Sequence, residues 1–351
     1  MKRPDSKEET PIDEDSIIYT ATPRTAFEKE NTPPTDKPLN LVWSFGMNNN
    51  IPVYNLEDKE HQVLLYVCAH TAVIHDLTHN HQRHLQGHCS CISCMCVSED
   101  GRWVATADHG PESLIIVWDS FSCVPVHTIF QSHPEGGVVA IAMSQNAKYL
   151  ATIGGETVQK VCIWDWTTGS ETPVCAAELK GEFGLQKYII FNPQDHTQII
   201  TNSDTQVIFY SWDNSTLEYA APLLNNSTFN KVVGTFSQSV FHSVNVRALT
   251  ATSAGKLVVW ETINPPSIRE RAFIKPHNKK ALKLMHLQKD AITVLTTHDR
   301  YYVTGGSRGH VKFYDQQLHL LNCYSHLNLT PIQSISFSKS SPLPASDKTK
   351  Y

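Results

Sequence analysis

The chain has 351 residues, of which 40% are hydrophobic and 18% are charged, so it can bury one large core or two modest ones. Its net charge of −5 and its pI near 6.4 are not those of a nucleic-acid-binding or anionic-membrane-binding protein. The first residues are charged rather than apolar, unlike a signal peptide, and no apolar run of about 18 residues is present to span a bilayer. We therefore expect neither a nucleic-acid nor a membrane partner.

The first 38 residues differ in composition from the rest of the chain. They contain nine Asp or Glu and six Lys or Arg, with six prolines and few aliphatic clusters. Such a segment cannot bury enough apolar surface to offset the entropy of ordering it. We predict that residues 1–38 are disordered, and we make the same prediction for the Ser-, Pro- and Lys-rich residues 339–351.

The stretch from Gly87 to Asp119 has the pattern of one WD-type repeat. It opens with Gly-His, contains two β-like runs joined by a Glu-Asp-Gly turn, and ends in an aliphatic run followed by Trp-Asp. Alternating and near-continuous apolar runs between Asp/Gly turns predict buried strands. This is the sequence unit of one four-stranded blade in a β-propeller.

The closing pair of this unit recurs along the chain. Trp-Asp or a close variant stands at Trp118-Asp119, Trp164-Asp165, Trp212-Asp213, Trp260-Glu261 and Tyr314-Asp315. The spacings of 46, 48, 48 and 54 residues match or exceed the roughly 40–45 residues of such a blade. The repeats predict an all-β, WD40-type β-propeller over residues 39–338.

The blade count is about six, with an incomplete seventh. Residues 51–87 form a degenerate first blade, and the fifth blade has a long insertion before its outer strand. Two further strand-like runs, 39–45 and 332–338, would belong to a seventh blade that lacks its middle strands. A propeller avoids exposed edges by closing its ring. We therefore expect an incomplete propeller, from a longer protein or a tandem pair; a compact six-blade closure is the alternative.

Four residues of the second repeat resemble a catalytic group but are better explained by blade structure. They are His88, Thr106, Asp108 and Trp118, which in WD repeats can form a hydrogen-bonded network. A Ser/Thr-His-Asp set is also found in hydrolases, yet no strand-elbow-helix context of the Gly-x-Ser-x-Gly kind occurs here. We predict a buried network that fixes blade geometry, and we predict no catalytic residue.

Cysteine and histidine clusters near this repeat raise the question of a metal. Cys89, Cys91, Cys94 and Cys96 are numerous enough to bind zinc, but strand geometry sends Cys91 and Cys94 to opposite faces. The nine cysteines are an odd number, so reduced thiols in a cytosol-like compartment are expected. The neighbouring histidines, at 75, 79, 81, 84 and 88, are interpreted mainly as polar residues of blade edges, with metal binding or pH sensing as the alternative. We predict no metal site and no cofactor.

The basic insertion of the fifth blade is the best candidate for a partner contact. Loops carry binding residues more often than the elements that they connect. The candidate residues are Arg269, Arg271, Lys275, Lys279, Lys280 and Lys283. A solvated loop without a partner is the plain alternative.

The quoted motifs, together with the start Leu-Asn-Leu-Val-Trp-Ser-Phe-Gly and the run Tyr-Leu-Ala-Thr-Ile-Gly-Gly, resemble a known family. The chain is similar to the N-terminal propeller of the cilia- and flagella-associated protein 251 family, which belongs to the axonemal tandem WD-repeat proteins. The resemblance implies a scaffold in the axoneme of motile cilia and sperm flagella, within the calmodulin- and spoke-associated complex at the base of radial spokes. It implies radial-spoke and other axonemal proteins, and tubulin doublets, as partners.

Propellers also serve as substrate receptors of cullin-type ubiquitin ligases, which is the alternative function. Such receptors usually carry Arg two residues after the Trp of Trp-Asp. Here the corresponding positions hold Ser120, Trp166 and Asn214. The sequence therefore favours the scaffold.

Overall fold

The computed structural model describes residues 41–57, 61–213, 215–224, 233–242, 247–262, 279–325, 327 and 330–338. The predicted tails 1–38 and 339–351 lie outside this range. Within it, 24 strands form six antiparallel sheets of four strands, and every sheet keeps its strands in chain order. This arrangement confirms the predicted all-β propeller with six recognisable blades.

The first three blades contain twelve strands. Blade 1 consists of β1 (Tyr54–Asn55), β2 (Val63–Cys68), β3 (Thr71–Asp76) and β4 (His81–Gln86). Blade 2 consists of β5 (Ile92–Val97), β6 (Trp103–Asp108), β7 (Leu114–Asp119) and β8 (Pro125–Phe130). Blade 3 consists of β9 (Val138–Met143), β10 (Tyr149–Gly154), β11 (Lys160–Asp165) and β12 (Cys175–Glu178).

The other three blades follow the same plan. Blade 4 consists of β13 (Tyr188–Asn192), β14 (Asp195–Asn202), β15 (Val207–Trp212) and β16 (Leu217–Ala220). Blade 5 consists of β17 (Phe236–Phe241), β18 (Ala248–Thr252), β19 (Lys256–Thr262) and β20 (Lys279–His286). Blade 6 consists of β21 (Ile292–His298), β22 (Tyr301–Gly306), β23 (Val311–Tyr314) and β24 (Leu320–Tyr324).

Strand β7 shows why the third strand of a blade is apolar on both faces. Successive side chains of a strand point to opposite faces of the sheet. Ile116 and Trp118 join the core between blades 1 and 2, whereas Ile115 and Val117 join the core between blades 2 and 3. A blade sandwiched between two others therefore needs the continuous apolar run seen in the sequence.

The blades are arranged around the ring in chain order. Five cores of buried side chains each join one blade to the next, from blade 1 to blade 6. The innermost strands lie side by side, β5 with β9, β9 with β13, β13 with β17 and β17 with β21. Among the described residues, no helix has the length and apolarity needed to cross a membrane.

The two runs predicted to belong to a seventh blade, 39–45 and 332–338, contain no strand in their described residues. Residues 41–48 instead lie across the face of blade 1 that points away from blade 2. There Ser44 N donates to Gln82 Oε1 at 2.8 Å, and the Trp43 ring meets the His75 ring edge-on at 5.2 Å. Asn48 N also donates to the Val67 carbonyl of β2 at 2.7 Å, so both backbone and side-chain hydrogen bonds hold residues 41–48 on blade 1, although they form no strand.

Residues 332–337 connect blade 6 with blade 1. Ile332 N donates to the Gly306 carbonyl at 3.2 Å, on the blade 6 side. On the blade 1 side, Val53 N donates to Ser334 Oγ at 3.2 Å and Asn55 N donates to Ser336 Oγ at 2.8 Å. We call this segment the closing segment.

Candidate functional site

The four residues singled out in the second repeat meet inside blade 2. His88 Nδ1 lies 3.0 Å from Asp108 Oδ2, and His88 Nε2 lies 2.7 Å from Thr106 Oγ1. Trp118 Nε1 donates to the same Thr106 hydroxyl at 2.8 Å. The His88 and Asp108 side chains are 0% and 1% exposed, so no substrate reaches them. The geometry is that of a blade support rather than of a hydrolase site.

Blade 3 contains the same network, which the sequence analysis missed. His133 Nδ1 lies 3.0 Å from Glu156 Oε1, and His133 Nε2 lies 2.9 Å from Thr152 Oγ1. Trp164 Nε1 donates to Thr152 Oγ1 at 2.9 Å. Burial raises the pKa of Glu156 and is the largest single effect, but hydrogen bonds from His133 and from its own backbone N–H, together with nearby positive charge, outweigh burial and leave this pKa lowered.

The sequence spacing between threonine and tryptophan in blade 3 indicates this second network. Thr152 precedes Trp164 by 12 residues, as Thr106 precedes Trp118. The acidic member of this network, Glu156, could not be recognised by its position in the sequence. Glu156 comes after two glycines, whereas Asp108 is the last residue of its strand. Its longer side chain reaches back over the extra residues to the histidine.

Blade 4 corrects the predicted alignment of the Trp-Asp pairs. Thr201 pairs with Ile208, as Thr106 pairs with Ile116, so the residue two places further on is Tyr210 rather than Trp212. The Tyr210 hydroxyl lies 3.0 Å from Thr201 Oγ1. Trp212 instead donates from Nε1 to the His196 carbonyl at 2.8 Å and packs against Tyr149.

Blades 5 and 6 keep the central threonine but change its partners. In blade 5, Trp260 Nε1 donates to Thr250 Oγ1 at 2.9 Å. In blade 6, Thr304 Oγ1 donates to Gln288 Oε1 at 3.3 Å, and Tyr314 is buried at the position of the tryptophan. A buried threonine on the second strand is therefore shared by blades 2 to 6.

The aspartates of the repeated pairs shape the turns that follow the third strands. Each accepts one or two hydrogen bonds from backbone N–H groups two to four residues ahead, which stabilises a tight turn. These aspartates are Asp119, Asp165, Asp213 and Asp315. Blade 5 has Glu261 there instead, and Glu261 Oε1 accepts from Arg247 Nη2 at 2.7 Å.

The cysteines of blade 2 separate into two groups. Cys94 and Cys96 are buried in the core between blades 2 and 3, and burial raises the pKa of Cys94 to about 12. Cys89 and Cys91 are exposed and precede the strand. The two buried thiols are protonated at neutral pH and act as small apolar side chains.

Three residues of the predicted basic contact set, Arg269, Arg271 and Lys275, lie outside the described residues. The other three belong to strand β20 rather than to a loop. Lys280 and Lys283 are exposed. Lys283 borders a cleft of about 410 Å³ between blades 5 and 6, together with Arg247 and His242.

Lys279 corrects the predicted set, because its side chain is buried. It is 7% exposed, its Nζ donates to Thr262 Oγ1 at 2.8 Å, and it lies 5.7 Å from the centre of the Phe209 ring. Burial lowers its pKa from 10.5 to about 8. A partner protein cannot reach this amine while blade 5 is folded.

Two of the three positions compared with cullin-type receptors in the sequence are buried and bonded here. Ser120 Oγ donates to the Gly101 carbonyl at 2.9 Å, and Trp166 Nε1 donates to the Ala147 carbonyl at 2.7 Å. The third position, Asn214, lies outside the described residues.

Comparison with known proteins agrees with this architecture. The family model described as the CFAP251 N-terminal domain matches residues 39–351. The chain belongs to the cilia- and flagella-associated protein 251 family. It is 51% identical over 343 residues to cilia- and flagella-associated protein 251 of Pongo abelii, covering 97% of this chain and 30% of that protein. It is 33% identical to the family member of Chlamydomonas reinhardtii, covering 86% of this chain and 39% of that one.

The chain therefore spans about a third of the length of these cilia- and flagella-associated protein 251 relatives. Among solved structures, it resembles the β-propeller domain of Cps50 (Swd1) from Myceliophteria thermophila. The TM-score is 0.51 at 13% identity, covering 67% of this chain and 72% of the other. This likeness supports the propeller fold alone.

Proposed function

We propose that the chain is a non-catalytic scaffold of the axoneme in motile cilia and sperm flagella. The family membership is the observation that carries this proposal. The blade networks add to it, since the residues that resemble a catalytic group are buried and bonded to one another. The scaffold would act in the calmodulin- and spoke-associated complex at the base of radial spokes, supporting axoneme assembly and motility.

The contacts of this scaffold would lie on loops and outer strands. The first candidate is a set of basic residues that we call the basic edge: Lys280 and Lys283 of β20, with Arg269, Arg271 and Lys275, which precede β20 in the sequence. It would bind acidic surfaces of radial-spoke or other axonemal proteins, or of tubulin doublets. Because exposed charges attract through solvent, such contacts weaken with added salt.

Capture from ciliated cells tests this proposal. The full chain would be compared with a variant carrying Glu at these five positions, since a deletion through residue 283 would also remove the first five of the eight residues of β20. We expect the wild-type chain to capture radial-spoke proteins and to sediment with axonemal doublets, and the variant to retain about a fifth or less of that binding.

The matched control is a Lys160→Glu, Lys187→Glu variant. These lysines are about half exposed on blades 3 and 4 and pair with Glu178 and Asp204. This variant should bind as the wild type does. Capture of cullin adaptors in place of axonemal proteins would reject the scaffold proposal, whereas equal loss in both variants would reject only the basic edge.

A further inference from the structure

One edge of blade 1 brings three metal-ligating side chains together. His61 precedes β2, Asp76 ends β3, and His79 lies in the turn between β3 and β4. Each offers one donor atom, and these atoms all lie within 4.8 Å of one another. The two imidazole rings are 5.4 Å apart between centroids. In the described part of the chain, this is the one such group of three.

The backbone holds the carboxylate of this group in place. Asp76 Oδ1 accepts from the N–H groups of Thr78 at 2.9 Å and of His79 at 3.1 Å. Its other oxygen, Oδ2, lies 2.8 Å from His79 Nδ1. Three hydrogen bonds therefore fix the position of the Asp76 carboxylate.

The strand ladder also anchors the segment that carries His61. Leu77 N donates to the Gln62 carbonyl at 2.8 Å, and Gln62 N donates to Thr78 Oγ1 at 3.0 Å. These bonds tie the residue next to His61 onto the turn that carries His79. These bonds therefore hold His61 close to Asp76 and His79, although His61 lies on a separate segment of the chain.

We propose that His61, Asp76 and His79 form a binding site for a transition-metal cation, with Zn²⁺ the best fit. Two imidazole nitrogens and one carboxylate oxygen are a common zinc ligand set, whereas Ca²⁺ and Mg²⁺ prefer sites built from oxygen alone. Ligand atoms of a tetrahedral zinc site are roughly 3.3 Å apart. The donor atoms here lie within 4.8 Å of one another, so the longest distance between two of them must shorten by about 1.5 Å at most. His79 can make this movement, since its side chain is 63% exposed.

The surroundings favour a cation and leave room for a fourth ligand. A cleft of about 450 Å³ borders His61 and Asp76, and its other charged or ionisable lining groups are Glu57, His81, Arg83 and Asp100. The Arg83 guanidinium donates to the carbonyl of Phe121, which lines the same cleft. Among the described residues that line this cleft, three are carboxylates and one is an arginine. The exposed side of the site is open to water or to a ligand from a partner protein.

A matched pair in blade 6 provides the control. Asp315 Oδ2 lies 3.0 Å from His319 Nδ1 in the turn after β23, and the His319 side chain is 76% exposed. This turn has the same Asp-His contact as blade 1. No third donor joins it among the described residues. A chelate effect needs the third ligand, so blade 6 should bind zinc much more weakly.

Calorimetric titration of the full chain with Zn²⁺ at about pH 7.5 tests the site. A Cys89→Ser, Cys91→Ser background removes the exposed thiols that precede β5. In this background, we expect one zinc site that His61→Ala or His61→Gln weakens about tenfold or more, while His319→Ala leaves it unchanged. Affinity should fall toward about pH 5.5, since zinc competes with protons for imidazole.

Co²⁺ spectra distinguish this site from cysteine binding, since thiolate ligands add a strong charge-transfer band that nitrogen and oxygen ligands lack. Circular dichroism without metal shows whether each variant is folded. Equal zinc affinity in the background protein and both His61 variants would overturn the proposal. So would loss of the site in His319→Ala, or equal binding of Ca²⁺.

Discussion

At the scale of single residues, Lys279 shows how position in a strand changes the chemistry of a side chain. By sequence it belongs to a basic run beside Lys280, which is exposed. Strand β20 alternates its faces, so Lys279 points inward to Thr262 and Phe209 while its neighbour points to solvent. Its burial opposes the charged form of the amine.

This burial predicts a pH dependence of stability. The pKa of Lys279 is about 8 in the folded chain against 10.5 ordinarily, so between these values the unfolded chain binds more protons. Stability should therefore rise with pH across that window, by an amount on the order of 3 kcal/mol, because the cost of burying the charge is relieved.

Denaturant titrations of the wild type and of Lys279→Met at about pH 7, 8.5 and 10 check this dependence. The difference between the two proteins isolates the lysine from the other ionisable groups. The free energy of unfolding of the wild type should increase relative to that of Lys279→Met as the pH rises. If the free energies of unfolding of the two proteins changed in parallel with pH, the Lys279 amine would not be a charged group that is buried at neutral pH.

At the scale of the blade, one threonine joins three elements. Thr106 on β6 contacts Trp118 on β7 and His88 on the segment before β5. Its hydroxyl is the shared partner of two buried nitrogen groups. Removing the hydroxyl while keeping the shape of the side chain would leave both without a partner.

We predict that Thr106→Val lowers the free energy of unfolding by about 2–4 kcal/mol, because each unsatisfied buried group costs roughly 1–3 kcal/mol. Thr128→Val on β8 is the control, since Thr128 is only half-buried and lies on the outer strand of the same blade. Equilibrium unfolding in urea measures both. A loss of the same size in the control would show that the network contributes no specific stability.

At the scale of the whole molecule, the closing segment takes the place between blade 6 and blade 1. It forms no ladder, and the hydroxyls of Ser334 and Ser336 accept from the backbone of β1 and the residue before it. On the other side, Thr293 Oγ1 donates to the Ile332 carbonyl. Side-chain hydroxyls, together with the backbone bond from Ile332 N to the Gly306 carbonyl, therefore join the two blades at this position.

We expect Ser334→Ala with Ser336→Ala to loosen this junction and to lower stability by about 1–3 kcal/mol, since two N–H groups lose their acceptors. Hydrogen exchange should speed up first at Val53 and Asn55. Ser170→Ala with Ser215→Ala, in exposed turns, is the control. Unchanged exchange at Val53 and Asn55 would mean that water replaces the serines without cost.

Local sequence pattern was enough to establish the propeller, its six blades and the network of blade 2. Strand periodicity and turn chemistry are properties of neighbouring residues, so they are visible along the chain. The position of Trp212, the role of Glu156 and the burial of Lys279 were decided by strand register and by packing between blades. The approach of His61 to Asp76 was decided in the same way, because it depends on how β2 pairs with β3. These contacts join residues far apart in the chain, and a shift of one or two places in register exchanges their partners.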